Sequence, residues 1–284
     1  MPEPGQGSLY DQSVARLSPL LERYDQVILD LDGCVWIGEE PIEGSPEAVA
    51  ALREAGRGVI FATNNSWHPG EDHVARLWRM GIQASLADVV TVGGAMQHLL
   101  AEAHAGRTAY VIGTDALRKH VRQAGLELTA DPDVASRAEV VITGGTDQLR
   151  YEHLRTAALA VYRGADFLAT SRDPTLPTPE GPWPGTGAIL AAVETTSGRR
   201  ARIVGKPEPQ LFYTAVDRLG EGRTLVIGDR LDSDVAAAVA ADLDGALVHS
   251  GAGAGASPGE PGEQEGRPVP VAEAATLGEL VLGR

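Results

Sequence analysis

The sequence predicts an α/β fold: a Rossmann-like parallel-sheet core with helices on both faces, interrupted by an inserted α/β unit. Three observations predict it. Short apolar runs alternate with helically spaced segments along most of the 284 residues. Four of those runs end in segments rich in aspartate, threonine or lysine. A middle stretch carries strands and helices of its own but none of those lysine or paired-aspartate segments.

Val27-Ile28-Leu29 reads as a buried strand and runs into Asp30-Leu31-Asp32-Gly33. Ser45 to Ala55 has apolar Ala48, Val49 and Leu52 at helical spacing, with Gly56 as a stop. Val59 to Ala62 forms the next strand and leads into Thr63-Asn64-Asn65. Pro69 to Met80 reads as a helix with proline near its start and Gly81 closing it. Val89-Val90 and Ala95 to Ala103 give a further strand and helix. A second set then begins, with strands at 109–112, 140–142 and 167–169 and helices at 115–123 and 151–161. Ile203-Val204 reads as a strand before Gly205-Lys206-Pro207, and Leu225-Val226-Ile227 as one before Gly228-Asp229-Arg230-Leu231-Asp232-Ser233-Asp234. The economical division is a core at 20–100 and 202–284, split by an insert at 101–201 that can close over a site as a lid. One continuous large sheet is the plainer alternative. Residues 1–20 read as a tail with a short helical turn or two, and 251–266, rich in Gly, Pro and Glu, as a surface loop.

Composition narrows the function. A net charge of -15 argues against a nucleic-acid partner, whose backbone this surface would repel. No apolar run is long enough to span a bilayer, and the first residues lack the pattern of a secretory signal, so no membrane association is expected. A single cysteine, Cys34, permits no internal disulfide and fits a reducing cytoplasm. Cys34 is read as a packed small residue rather than a nucleophile, because no histidine stands in a recognisable partner motif.

In a parallel sheet the carboxyl ends of the strands share one edge, and ligands bind outside it. The four segments would therefore surround one point with acids, a hydroxyl and an ammonium. Asp30 and Asp32 share a face if the strand continues, and Gly33 lets the chain turn after them. One carboxylate can attack phosphorus while its other oxygen holds a cation, and the second can manage protons. Magnesium suits such hard oxygen ligands. Thr63 can donate to a phosphoryl oxygen, and Asn64 and Asn65 offer further donors, although Thr-Asn-Asn is also a common turn or helix cap. Lys206 gains weight from composition: of 24 Lys and Arg residues only Lys119 and Lys206 are lysines. A compact ammonium approaches phosphate and carboxylate together in a way that guanidinium does not. Asp229 suits direct metal coordination and Asp234 the orientation of a metal-bound water or of Lys206; Asp232 reads as a helix cap. His68, His73 and His153 form no convergent set and are read as surface or helix residues. These groups describe a site for a metal ion and a phosphoryl group, and hence a phosphotransferring enzyme.

Taken in order, these segments resemble the haloacid dehalogenase superfamily of phosphatases, in its NagD-like branch of p-nitrophenyl phosphatases and phosphoglycolate phosphatases. The likeness rests on Asp30-Leu-Asp-Gly-Cys-Val-Trp36, Thr63-Asn-Asn-Ser66, Pro184-Gly-Thr-Gly-Ala188, Gly205-Lys-Pro207 and Gly228-Asp-Arg-Leu-Asp-Ser-Asp234, and spans residues 22–282. It implies a large α/β cap at the insert, Asp30 as nucleophile and Asp32 as the acid that protonates the leaving oxygen and then activates water. It implies magnesium on the Asp30 side chain, the Asp32 backbone carbonyl and Asp229. Thr63, Asn64 and Lys206 would hold the phosphoryl group, and Asp234 would support the metal shell. A small phosphorylated metabolite as substrate and a homodimer through the cap are implied as well. Where the family often has Asn-Pro-Asp, this chain reads Ser171-Arg172-Asp173, and Trp67-His68-Pro69-Gly70 replaces the Ser-Arg that frequently follows the asparagines. Both departures lie where substrate preference is set, with Arg172, Asp173, Trp183 and the Pro184-Gly185 turn as candidates. A receiver domain would place its acidic pair before the phosphorylated aspartate, and a dehalogenase needs neither Asp32 nor Asp229. A phosphosugar mutase shares the site and is disfavoured only by the large cap.

Overall fold

The computed structural model describes residues 17–178, 180–251 and 267–283. The expected tail at 1–20, but for residues 17–20, and the expected loop at 251–266, but for Gly251, lie outside the described residues. In chain order come β1 (Gln26–Leu29), a small hairpin of β2 (Trp36–Ile37) and β3 (Glu40–Pro41), α1 (Ser45–Glu54), β4 (Gly58–Thr63), α2 (Gly70–Arg79), β5 (Val89–Thr91) and α3 (Val92–Ala103). The middle of the chain supplies β6 (Thr108–Ile112), α4 (Asp115–Gln123), β7 (Glu127–Leu128), α5 (Pro132–Ala135), β8 (Val140–Thr143), α6 (Tyr151–Tyr162) and β9 (Asp166–Ala169). A hairpin of β10 (Thr175–Thr178) and β11 (Gly181–Pro184), then α7 (Thr186–Ser197) and β12 (Arg202–Ile203), complete that part. Last come α8 (Gln210–Leu219), β13 (Thr224–Gly228), α9 (Ala236–Ala240), β14 (Asp244–Val248), β15 (Ala272–Ala274) and α10 (Leu277–Leu282).

Two parallel sheets result. One has six strands in the order β15-β14-β13-β1-β4-β5, the other five in the order β12-β9-β8-β6-β7. β1 and β13 are covered on both faces, which is why they read as unbroken apolar runs rather than alternating ones. Alternate residues still go to opposite layers. Val27, Leu29, Phe61 and Ile227 pack with Val49 and Leu52 of α1 and Leu277 of α10. Ile28, Ile60 and Val226 pack the other way, against Phe212 of α8 and Met96 of α3. That second layer continues into Val111, Val140 and Ile142 of the five-stranded sheet, so the two sheets share a core. Val141, Phe167 and Ala169 face α6 and α7 on the far side. Each of the Val, Leu, Ile, Phe and Met side chains contributes about 1.5–3 kcal/mol by leaving water.

The strand expected at Ile203-Val204 needs correction. β12 runs parallel to β9, with Arg202 beside Leu168 and Ile203 beside Ala169, and belongs to the five-stranded sheet. The cause is that its partners Leu168-Ala169 lie in the second set, so that three of the four functional segments, not four, follow strands of the six-stranded sheet. Position 101 falls inside α3, and 202–203 still pair with the second sheet. α7, α8 and the β10–β11 hairpin had no counterpart in the sequence reading. Among the described residues no helix is long and apolar enough to cross a membrane.

Candidate active site

The six-stranded sheet reverses its direction of growth at β1: β4 is added on one side and β13 on the other. Such a reversal opens a crevice at the carboxyl ends of the strands. Leu29 is in register with Phe61 and with Ile227. The next residue, Asp30, therefore stands between Ala62-Thr63 and Gly228-Asp229. Behind it the chain makes a single wide π-helical turn at Leu231–Val235 that brings Asp234 back. Gly228 permits this return, since a Cβ there would lie 2.3 Å from Asp234 Cγ.

Asp30, Asp229 and Asp234 are buried, and each offers an oxygen within 4.8 Å of the others. Lys206, also buried, donates from Nζ to Asp30 Oδ1 at 2.5 Å, to Asp234 Oδ1 at 2.6 Å and to the Ala62 carbonyl at 3.3 Å. Burial would lower the lysine pKa, but the carboxylates of Asp234 and Asp30 outweigh it and raise it, so the ammonium stays charged. Burial pushes the Asp30 carboxyl well above the usual range; Lys206 opposes this, while Asp234 and Asp229 reinforce it. Three acids against one ammonium leave an excess of negative charge that favours a cation.

Thr63 Oγ1 accepts from the Asn65 backbone N–H at 2.9 Å, which leaves its O–H to donate into the crevice. Asn64 was expected to hold phosphate, and its side chain does something else. Its Nδ2 donates to the Lys206 carbonyl and to Asp173 Oδ2, both at 3.0 Å, and its Oδ1 accepts from Lys206 N at 2.8 Å. The side-chain amide is used in fixing Lys206 and Asp173. Asp32 was expected to offer the metal its backbone carbonyl and to keep its carboxylate for the proton, and that carboxylate is outside the three-acid group. Trp36 Nε1 donates to Oδ1 at 2.9 Å and Asn65 Nδ2 to Oδ2 at 3.2 Å. Asp234, expected as an outer support, is itself one of the three.

These residues surround a cavity of ≈ 70 Å³ whose wall also includes Trp67, Asp173, Leu176, Thr186 and Arg230. A haloacid dehalogenase-like hydrolase model matches residues 27–127 and a HAD-hydrolase-like model residues 203–276. D-glycerol 3-phosphate phosphatase of Mycobacterium tuberculosis is 35% identical over 236 residues, covering 83% of this chain and 65% of that protein's length. Mouse chronophin is 36% identical over 232 residues, with 78% and 79% covered. The solved structure of the M. tuberculosis glycerol phosphate phosphatase with magnesium superposes with a TM-score of 0.81 at 34% identity, over 94% of this chain and 79% of that one. The chain belongs to the haloacid dehalogenase-like hydrolases. Within them it is a phosphoric monoester hydrolase of the NagD-like kind.

In this hydrolase the carboxyl edge of the second sheet meets the same crevice. Thr114 Oγ1 donates to the Ser66 carbonyl at 3.0 Å, and Asp173 pairs with Arg230 Nε at 3.6 Å as well as with Asn64. Burial would lower the Arg230 pKa, yet Asp173, with Asp232, raises it. Trp67 is wedged against the second sheet: a Cβ on Gly145 would lie 2.0 Å from its Nε1. Of the expected specificity residues, Asp173 and Gly185 line the cavity, while Arg172 turns away to pair with Glu194 at 2.9 Å and Trp183 is exposed. Cys34 is buried with its thiol on the Ile227 carbonyl at 3.8 Å, and burial, with Asp30 and Asp229, pushes its pKa well up. Asp232 faces outward and caps nothing.

His73 lies on α2, as read, but on its buried side, where its ring stacks on Trp36. Trp36 and Asn65 were missed as supports of Asp32, and Arg230 as part of the wall. A tryptophan four residues after an acid carried a usable signal only if the chain between them was known to fold back.

Proposed function

We propose that this hydrolase is a magnesium-dependent phosphatase of small phosphate monoesters, acting through an aspartyl-phosphate on Asp30. The observation that carries the reading is the Lys206 ammonium held between Asp30 and Asp234, with Asp229 and Thr63 at the neighbouring strand ends. The buried all-oxygen set fits magnesium, with Asp30, Asp229 and the Asp32 carbonyl as its holders. Bound there, the ion supplies neutralisation of the phosphoryl charge.

The residues divide the work. A carboxylate oxygen of Asp30 attacks phosphorus as the ester P–O bond breaks, and protonated Asp32 gives its proton to the leaving oxygen. Ionised Asp32 then takes a proton from water, whose oxygen attacks the acyl phosphate, releasing phosphate and restoring Asp30. Two easier displacements replace one hard one. Lys206 and Thr63 compensate the charge on the transferring group. Asp173 ties the second sheet to Asn64 and Arg230, so we assign that sheet and its helices the part of a lid. The narrow cavity beneath it favours a small leaving group over a phosphoprotein.

Phosphate release from a panel of small esters, with and without magnesium, tests the reading. Magnesium-dependent release is expected, and Asp30→Asn should abolish it. An Asp30→Asn protein as active as wild type would remove the nucleophile. Transfer of the phosphoryl group back to substrate without release would make the chain a mutase.

A further inference from the structure

We infer that Trp36 is a positioning residue for Asp32: its indole N–H, together with the Asn65 amide, fixes the carboxyl plane that serves the leaving group. The inference rests on the phosphatase reading above. Each Asp32 oxygen receives one donor, Oδ1 from Trp36 Nε1 at 2.9 Å and Oδ2 from Asn65 Nδ2 at 3.2 Å. Two donors on two oxygens determine the plane of a carboxyl group. The remaining lone pairs are left for the cavity that Asp32 lines.

The indole is itself fixed. Trp36 is fully buried. The His73 ring stacks near-parallel to it at 6.2 Å and 8°, and the Arg76 guanidinium lies 4.3 Å from its ring centroid. Both partners come from α2. The backbone holds it too, with Gly33 N donating to the Trp36 carbonyl at 2.7 Å and Trp36 N to the Leu31 carbonyl at 3.1 Å. The Asn65 side chain is fixed as well, with Trp67 N donating to its Oδ1 at 2.9 Å. Filling the core accounts for a large ring at this position but not for an N–H aimed at the carboxylate that handles the proton.

A leaving-group comparison tests this. An alkoxide needs its proton as the P–O bond breaks, whereas p-nitrophenolate departs without one. Trp36→Phe keeps a ring beside His73 and Arg76 and deletes the donor. For this variant kcat/KM on a simple alkyl phosphate should fall roughly tenfold or more, and on p-nitrophenyl phosphate by less than about threefold. In an Asp32→Asn background the same substitution should change neither value further. Equal losses on both esters, or no loss on either, would overturn the inference. Should Trp36→Phe not fold, Asn65→Ser removes the other donor and is judged by the same ratio. Wild-type protein inactive on both esters would end the phosphatase reading and this inference together. Activity lost in Asp30→Asn, with an unchanged ester ratio in Trp36→Phe, would end this inference alone.

Discussion

At the residue scale the site depends on one ammonium. Lys206 is the buried counter-charge of two carboxylates, and removing one partner of a buried ion pair costs about 3–5 kcal/mol because the other stays uncompensated. Lys206→Met should lower the denaturation free energy by about that much and kcat/KM by about 10²-fold or more. Urea unfolding and steady-state phosphate release measure the two losses. Lys206 was legible because lysine is rare here and sits in a turn after an apolar run. Asp30, Thr63 and Asp229 were legible because each ends a strand. The task of Asn64 was not: its amide answers a backbone that arrives from residue 206, and no local pattern announces that partner. His73 was hidden for the same reason, since nothing in α2 says which ring will cover it.

At the element scale, Pro184-Gly-Thr-Gly187 finds its reason in close approach. A Cβ on Gly185 would lie 2.4 Å from the Asp173 carbonyl oxygen, and one on Gly187 2.3 Å from that of Arg172. The N-terminus of α7 thus rests on the backbone just before the β10–β11 hairpin. Gly187→Ala should displace Asp173 from Asn64 and Arg230, costing about 1–3 kcal/mol by overpacking. Its kcat/KM should fall, with thermal melting showing the protein still folded; unchanged kinetics would deny Asp173 its role in tying the sheets together. Long apolar strands such as β4 and β13 were readable, and so were amphipathic helices such as α2 and α4. α7 was not, because its mostly small and apolar residues give no polar face to mark the period. β12 was assigned to the wrong sheet, since a two-residue strand carries no information about its neighbour.

At the scale of the molecule, the carboxyl edges of the two parallel sheets meet at one crevice, and buried charge is concentrated there. Asp30 and Asp229, with the Asp32 carbonyl, should bind magnesium in the folded state only, adding ~2.7 kcal/mol at a hundredfold excess over Kd. Differential scanning fluorimetry should show a magnesium-dependent rise in Tm that Asp229→Asn removes. Acid should act the other way through His73. Burial lowers its pKa below the unfolded value near 6.5, so the unfolded chain binds more protons in mild acid. Stability from this group is complete above about pH 6.5 and is lost as the pH falls toward the lowered folded value. The decline of Tm between about pH 6.5 and 5 should be shallower in His73→Phe than in wild type. Parallel sheets flanked by helices were readable from the alternation of apolar runs and helical spacing, but the shared core between the sheets was not, because apolar residues do not name their partners. The claim that unites these scales is a covalent phosphoryl group on Asp30. Acid quenching during turnover, followed by borohydride reduction and peptide mass spectrometry, tests it directly. The reduction product of an acyl phosphate should appear at Asp30 in wild-type protein. Full turnover with that mark at another residue, or at none, would contradict it.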